Sequence, residues 1–330
     1  MNLRVAGVAI ACACTAVPAE ADPRANGDGY LGRLVRDVRT RLDDLAAGHA
    51  PKIVPPVPVA VTWKQAKLIS FDPGAPLLAL MGADLDGDGK AELYAVTARE
   101  VIALGWRGSR FTELGRVSFS GDPAVPAPRD PVGTVHVRGA QLIAASSAWA
   151  KELVVGWNKK ALVGQLGGAG FQRCAHNRAA LRPGRNHFDD NTYGKRCRDD
   201  LVDPQGYPLH ATATLATSGK LTVDLEQCQP GGATCRPAGT YAFTSGVAFE
   251  IGDVDRDGKP EVIVTGTGAP GDGDFVKVTT IGGATLFTSK PTMGGVVGIA
   301  AADLDGNGVG EVVVAIRLAG GTHLDLMRLD

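Results

Sequence analysis

Short apolar runs, many of them β-branched, recur along the chain and alternate with polar turns. The runs at residues 93–97, 262–265 and 312–316 each follow a polar loop, and similar runs at 77–81 and 296–300 precede two of these loops. Runs of four to six such residues bounded by turn residues are typical of buried β-strands. The pattern therefore predicts an all-β protein built from short strands and tight turns.

One segment departs from this pattern and shows a helical period. Its apolar positions are Leu31, Leu34, Val35, Val38, Leu42 and Leu45. Charged residues lie between them, and Gly48 follows as a C-terminal stop. We expect an amphipathic helix within an N-terminal segment, residues 22–50, that either packs on the main body or binds a partner. A proline-rich link at 51–58 follows this segment and begins the second region of the chain, residues 51–330.

The first 21 residues have the features of a secretory signal peptide. Arg4 precedes an apolar run at 5–17 that is too short to span a bilayer, and an A-x-A cleavage pattern ends at Ala21. The alternative is a lipoprotein signal that acylates Cys12 or Cys14. We therefore expect a secreted, periplasmic or extracellular protein, or a lipid-anchored one, without membrane insertion of the mature chain.

The composition agrees with a repetitive β protein, and the net charge gives no indication of a nucleic-acid or membrane partner. Hydrophobic residues make up 44% of the chain, and 44 glycines and 20 prolines favour many turns. The formal charge of −1 gives no electrostatic footprint for nucleic acid or an anionic membrane. We expect a monomer.

Four cysteines remain after removal of the leader: Cys174, Cys197, Cys228 and Cys235. An even number in an exported chain predicts two disulfides. The simplest of the three connectivities joins the first to the second and the third to the fourth. A zinc site formed by the first two cysteines with His176 and His187 is the alternative, but the spacing fits no standard zinc pattern.

A nine-residue acidic frame occurs three times, as DLDGDGKAE at 84–92, DVDRDGKPE at 253–261 and DLDGNGVGE at 303–311. Carboxylates this close together repel one another unless a cation lies between them. Alternate aspartates on a tight loop supply the oxygen ligands that calcium prefers. In the first loop these ligands would be Asp84, Asp86, Asp88, the carbonyl of Lys90, and Glu92.

The frame matches an EF-hand up to its glycine but not beyond it. An EF-hand needs a glutamate at position 12 and a helix on each side. Position 12 is Ala95, Val264 or Val314 here, and the flanking runs are strand-like. Each loop is therefore predicted to join two β-strands.

The stretch GDVDRDGKPEVIVTGTGAPGD at 252–272 resembles the FG-GAP or VCBS type of repeat, including the literal Gly-Ala-Pro. The resemblance implies that each repeat is a four-stranded blade of an integrin-like β-propeller and that its acidic loop binds calcium. The ligands it implies are Asp84, Asp86, Asp88, Lys90 and Glu92; Asp253, Asp255, Asp257, Lys259 and Glu261; and Asp303, Asp305, Asn307, Val309 and Glu311. Asn307 departs from the pattern and suggests a weaker third site, so two or three ions are expected.

The spacing of the loops predicts the number of blades. The second and third loops start 50 residues apart and the first two 169 apart, which leaves room for further blades. Strand-like runs at 133–163 and 207–228 indicate two blades without metal. The strand runs after the third loop are one short of a blade, and runs at 58–63 and 67–71 could complete it. We expect about five blades, within a range of five to seven, and a ring closed by an N-terminal strand.

The segment 167–210 lacks a strand signal and is expected to be a disulfide-containing insertion. Its arginines could bind a protein or an acidic glycan, or it could be a surface loop without a ligand. No catalytic signature appears in the sequence, so we expect a non-enzymatic binding or scaffolding protein. The alternative is a hydrolase or lyase that uses His176, His187, Asp189 and Asp190 of this segment.

Overall fold

The computed structural model describes residues 53–65, 69–168, 181–230, 234–267, 273–318 and 324–329. Its regular structure consists of twenty β-strands, and the described residues contain no helix. None of these residues form a helix long and apolar enough to cross a membrane. The predicted signal peptide and amphipathic helix lie outside them.

The strands form five antiparallel four-stranded sheets. Blade 1 comprises β2 (Leu77–Ala83), β3 (Glu92–Thr97), β4 (Glu100–Arg107) and β5 (Arg110–Ser118). Blade 2 comprises β6 (Gly133–Arg138), β7 (Gln141–Ser146), β8 (Leu153–Asn158) and β9 (Ala161–Leu166). Blade 3 comprises β10 (Thr192–Val202), β11 (Pro208–Ala216), β12 (Lys220–Cys228) and β13 (Cys235–Thr244). Blade 4 comprises β14 (Phe249–Gly252), β15 (Glu261–Thr265), β16 (Val276–Thr280) and β17 (Thr285–Thr288). Blade 5 comprises β18 (Gly295–Ala302), β19 (Glu311–Arg317), β20 (Leu324–Leu329) and β1 (Ile69–Phe71).

The five blades form a closed ring. Strand β2 contacts β6, β6 contacts β10, and β10 contacts β14. Strand β14 in turn contacts β18, and β18 contacts β2. These five are therefore the inner strands around one axis. The predicted five-bladed propeller is confirmed.

An N-terminal strand closes the ring, as predicted. Strand β1 pairs with β20 in antiparallel register, with Ile69 opposite Leu326 and Phe71 opposite Leu324. The other proposed closing run, 58–63, forms no strand. Pro58 lacks an amide donor, and the segment instead lies along blade 4, where the Val59 amide donates to the Asp255 carbonyl at 2.8 Å.

Apolar side chains of neighbouring blades form the core. One cluster, for example, combines Leu93 and Ile102 of blade 1 with Val313 of blade 5. The inner strands approach one another closely near the axis, where a β-carbon on Gly82 would overlap the Ala302 side chain. Small residues are therefore required at these crossings.

The segment 167–210 is not the strand-free insertion that the sequence indicated. It contains all of β10 and the start of β11, and the connection from β9 to β10 covers 167–191. The strand was missed because it is unusually polar. Cys228 and Cys235 form the predicted disulfide between facing positions of β12 and β13. Cys174 lies outside the described residues, so its pairing with Cys197 stays a prediction.

Candidate metal-binding loops and the ring axis

Each of the three acidic frames connects the inner strand of a blade to its second strand. They join β2 to β3 in blade 1, β14 to β15 in blade 4, and β18 to β19 in blade 5. In the described part of the chain, strands therefore flank all three loops, and the EF-hand arrangement is excluded. The three blades are consecutive around the ring.

The loops share one backbone conformation, with left-handed residues at their fourth and sixth positions. The φ angles are 77° and 86° at Gly87 and Gly89, 56° and 80° at Arg256 and Gly258, and 76° and 89° at Gly306 and Gly308. Glycine adopts such angles without strain. Arg256 is thus the one non-glycine among these six positions.

The first aspartate of each loop is held by backbone amides. Asp84 accepts hydrogen bonds from Gly87 at 2.8 Å and Gly89 at 3.0 Å. Asp303 accepts from the equivalent amides, both at 2.8 Å. These bonds fix the tight turn and direct the loop's acidic side chains toward one another.

The last residue of each loop is a buried glutamate. Glu92, Glu261 and Glu311 are 4%, 3% and 1% exposed. Each accepts a hydrogen bond from the amide of the loop's second residue, at 3.3 Å from Leu85, 2.8 Å from Val254 and 2.7 Å from Leu304. The glutamate therefore returns across the loop toward the first aspartate.

The carboxylates of each loop converge. Ligand oxygens within 4.8 Å of one another are offered by Asp84, Asp86, Asp88 and Glu92, by Asp253, Asp255 and Glu261, and by Asp303, Asp305 and Glu311. Oxygens bound to one calcium ion, at about 2.3–2.6 Å, lie no more than about 5 Å apart. In addition, Asp253 Oδ1 is buried and has no hydrogen-bond partner among the residues that the structure describes. The donor sets therefore fit a hard divalent cation.

Two predicted side-chain ligands differ from this arrangement. Asp257 is outside the second cluster, and its carboxylate lies 3.5 Å from Lys259 Nζ. Asn307 Oδ1 accepts the Val309 amide at 2.7 Å, as Asp88 accepts the Lys90 amide at 2.9 Å. The asparagine thus preserves the turn. Calcium ligation by the backbone carbonyls of Lys90, Lys259 and Val309 stays a prediction.

The local environment disfavours negative charge in the first two loops. Burial, with added repulsion from nearby aspartates, raises the pKa of Glu92 to about 7 and that of Glu261 to about 8. Burial also raises the pKa of Asp253 and Asp255. A bound cation would favour the ionised forms.

The three loops meet at one end of the ring axis. The Ala91 amide donates to the Asp303 carbonyl at 2.7 Å, and Gly310 donates to Val254 at 3.1 Å. Arg256 Nη2 lies 3.3 Å from Asp303 Oδ2. Between the loops is a cavity of about 310 Å³, lined by the first aspartate of each loop and by Arg198 and Asp200 of β10.

Three buried charged residues, Glu250, Arg196 and Arg198, lie near the axis, and sequence analysis missed them. Glu250 of β14 lies 3.2 Å from Arg196 Nε and 3.7 Å from Arg198 Nη1. Arg198 also pairs with both oxygens of Asp200 at 2.8 Å. Arg196 Nη2 donates to the carbonyls of Leu80 at 2.6 Å and Ile299 at 3.3 Å. These two arginines therefore hold the blades together and are not on a surface recognition loop.

The alternative catalytic residues do not form an acid–base set in the described structure. His187 Nδ1 lies 2.6 Å from the Phe188 carbonyl. Asp189 pairs with Arg182 at 2.9 Å, and Asp190 accepts the Thr192 amide at 3.1 Å. None of the three lines the cavity between the acidic loops. His176 lies outside the described residues.

No protein-family model and no curated protein matches the sequence. Among solved structures, the chain is similar to AofleA from Arthrobotrys oligospora, with 11% identity, 80% of this chain and 86% of that chain covered, and a TM-score of 0.46. A triple arginine-to-alanine mutant of AofleA gives 12% identity, 78% and 71% coverage, and a TM-score of 0.37. Likenesses this weak carry no argument about function.

Proposed function

We propose that the protein is an exported, non-enzymatic β-propeller of the FG-GAP or VCBS type that binds calcium through two or three of its acidic loops. The observation that carries this proposal is the convergence of carboxylate oxygens within 4.8 Å in the same hairpin of three consecutive blades. Extracellular calcium sites of this kind work at the high free calcium concentrations found outside the cytoplasm.

Calcium would brace the part of the ring where the chain closes. Blade 5 carries the third loop and contains the closing strand β1, and its loop is hydrogen-bonded to those of blades 4 and 1. An ion in each loop would fix these hairpins relative to one another. The rigid ring would then present its connections to a protein or an acidic glycan.

Calcium titration calorimetry and metal analysis of the purified protein test the proposal. We expect two or three bound calcium ions and a melting temperature that falls on chelation. Calcium should restore it and magnesium should restore it poorly, because magnesium requires a smaller octahedral site. Each site contributes about 2.7 kcal/mol at a free calcium concentration of 100 times its Kd. A melting curve unchanged by chelation, with no bound metal, would refute the proposal.

Variants identify the sites individually. Glu92→Gln and Glu261→Gln keep the shape of the buried side chain but remove one ligand charge. Each should lower the number of bound calcium ions by one at a free calcium concentration that just fills the sites of the parent chain. Asp122→Asn, an exposed aspartate outside the loops, is the control and should leave the stoichiometry unchanged. Equal stoichiometry in all three variants would place the ions elsewhere.

A further inference from the structure

The third acidic loop lies between the other two and is hydrogen-bonded to both. Its Gly310 amide donates to the Val254 carbonyl of the second loop at 3.1 Å, and the Ala91 amide of the first loop donates to the Asp303 carbonyl at 2.7 Å. Side chains of the first and second loops can therefore reach the third. A charge on either neighbour is part of the environment of the third loop.

Arg256 of the second loop contacts the third loop. Its Nη2 lies 3.3 Å from Asp303 Oδ2. The guanidinium is also so close to the turn that a β-carbon on Gly308 would lie 2.9 Å from Arg256 Nη1. The side chain of Arg256 is 49% exposed and that of Asp303 is 21% exposed. The pair is thus partly shielded from water, and it lies at the turn of the third loop.

A second cation, Lys90 of the first loop, also contacts the third loop. A β-carbon on Gly306 would lie 3.1 Å from Lys90 Cγ and 3.5 Å from Lys90 Cε. The frame of the third loop itself, 303–311, contains three acidic residues and no basic one. Its neighbours therefore supply the positive charge beside it.

The first aspartates of the three loops differ in how many donors already occupy them. A carboxylate offers about four acceptor sites, two on each oxygen. In the described structure Asp253 Oδ1 accepts no hydrogen bond, and each oxygen of Asp84 accepts one. Asp303 Oδ1 accepts one backbone amide, whereas Asp303 Oδ2 accepts both an amide and Arg256. Asp303 is therefore the least available of the three to a metal ion.

The backbone at Arg256 is unusual for an arginine. Arg256 is the fourth residue of its loop and has a φ of 56°, whereas the first and third loops have Gly87 and Gly306 at this position. A residue with a β-carbon adopts such an angle at a cost in free energy. Strain of this kind indicates a role that the side chain performs and glycine cannot. The contact of Arg256 with Asp303 is such a role.

We propose that Arg256 is a tethered counter-cation that neutralises the third loop and competes with calcium for Asp303. This role rests on the proposed calcium binding by the acidic loops, and Arg256 sets the order in which they fill. The first and second loops bind calcium first. The third fills only at higher calcium, because a fixed positive charge repels an incoming divalent cation. Asn307, which removes one ligand charge, acts in the same direction.

Calcium titration calorimetry of the full chain tests this role. We expect two tighter sites in the parent chain and a third site at least about tenfold weaker. Arg256→Gly should tighten the third site about tenfold, because it removes one positive charge beside a divalent ion at a partly screened distance. Lys159→Gly is the matched control, since Lys159 is an exposed cation with a φ of 59° at a turn of blade 2. It should leave all sites unchanged.

Loop variants assign the effect to the third loop. The tightening caused by Arg256→Gly should persist in a Glu261→Gln chain, which has lost a ligand charge in the second loop, and should disappear in a Glu311→Gln chain. Disappearance in Glu261→Gln instead would mean that Arg256 acts on its own loop, and the proposal is then wrong. It is also wrong if Asn307→Asp tightens the third site and Arg256→Gly does not, because the missing ligand charge would then account for the weaker site.

Melting in the presence of a chelator tests the neutralising role without calcium. Arg256→Gly should melt about 2 °C below Lys159→Gly, because both variants place glycine at a positive φ but only the first removes a counter-charge from a loop of carboxylates. Equal melting temperatures would contradict the proposal. Three sites of equal affinity in the parent chain would overturn it and leave the proposed function intact, whereas no calcium binding in the parent chain or any variant would overturn both.

Discussion

Glu250 is the carboxylate that neutralises Arg196 at the centre of the ring. Its side chain is 0% exposed, and that of Arg196 is 8% exposed. Glu250→Leu removes this charge and leaves Arg196 with two backbone carbonyls as its hydrogen-bond acceptors. Arg198 is less affected because it keeps its two bonds to Asp200. We therefore expect the substitution to leave one uncompensated buried cation.

The magnitude follows from the burial of the pair. Removing one partner of a buried ion pair costs about 3–5 kcal/mol of unfolding free energy, because the remaining charge stays desolvated. A domain of this size loses about 2 °C in melting temperature per kcal/mol, so the expected fall is roughly 6–10 °C. Substituting Glu250→Leu together with Arg196→Met removes both charges and should recover most of this loss.

Differential scanning calorimetry at fixed calcium measures these changes. Glu113→Leu is a matched control, because it breaks a surface pair with Arg116 at 2.8 Å in which both side chains are more than a third exposed. Such a pair contributes about 0–1 kcal/mol, so the control should shift the melting temperature by no more than about 2 °C. Equal shifts for Glu250→Leu and Glu113→Leu would refute the reasoning, as would a double variant no more stable than Glu250→Leu.

Two further predictions concern the inner strands. Burial lowers the pKa of His136 to about 4 against the opposing charge of Asp199, so the folded state binds fewer protons than the unfolded state below pH 6.5. The free energy of unfolding should fall by up to about 3 kcal/mol between pH 6.5 and 4. Denaturant unfolding of His136→Gln should show a smaller fall over the same pH range. An equal fall in the parent chain and in His136→Gln would contradict this prediction. Gly82→Val should lower the melting temperature, because the valine side chain would overlap Ala302. The control Gly168→Ala has open space around the added β-carbon and should melt like the parent chain. Equal melting temperatures of the two variants would contradict the packing argument.

The sequence was sufficient to predict the architecture because local signals repeat along the chain. The loop at 84–92 and its two relatives mark the first hairpin of three blades, and the spacing between them leaves room for two more. The closing strand could be predicted because the runs after the third loop are one strand short of a blade. The acidic frames predict the structure of their own hairpins, whereas the closing strand follows from a comparison of the two ends of the chain.

Strand β10 was missed because its environment is created by other blades. Its sequence, TYGKRCRDDLV, has the polarity of a surface loop. Arg196 and Arg198 nevertheless alternate with Cys197, which is the period of a strand, and this was the signal available. Their burial depends on Glu250 and on carbonyls more than 100 residues distant in the chain. Pattern analysis of a single segment cannot supply those partners.

The inner strands of the blades differ in polarity, and most of the charged residues on the axis belong to β10. Blades 1, 4 and 5 carry acidic loops, and their inner strands are apolar apart from Glu250. Their glycines and alanines allow close crossing near the loops. Blade 3 has no such loop, and its longer inner strand places Arg198 beside the acidic loops and Arg196 two residues farther from them along the axis. Because Glu250 contacts both arginines, this cluster of charges connects the two ends of the ring, and a change at Glu250 should affect both.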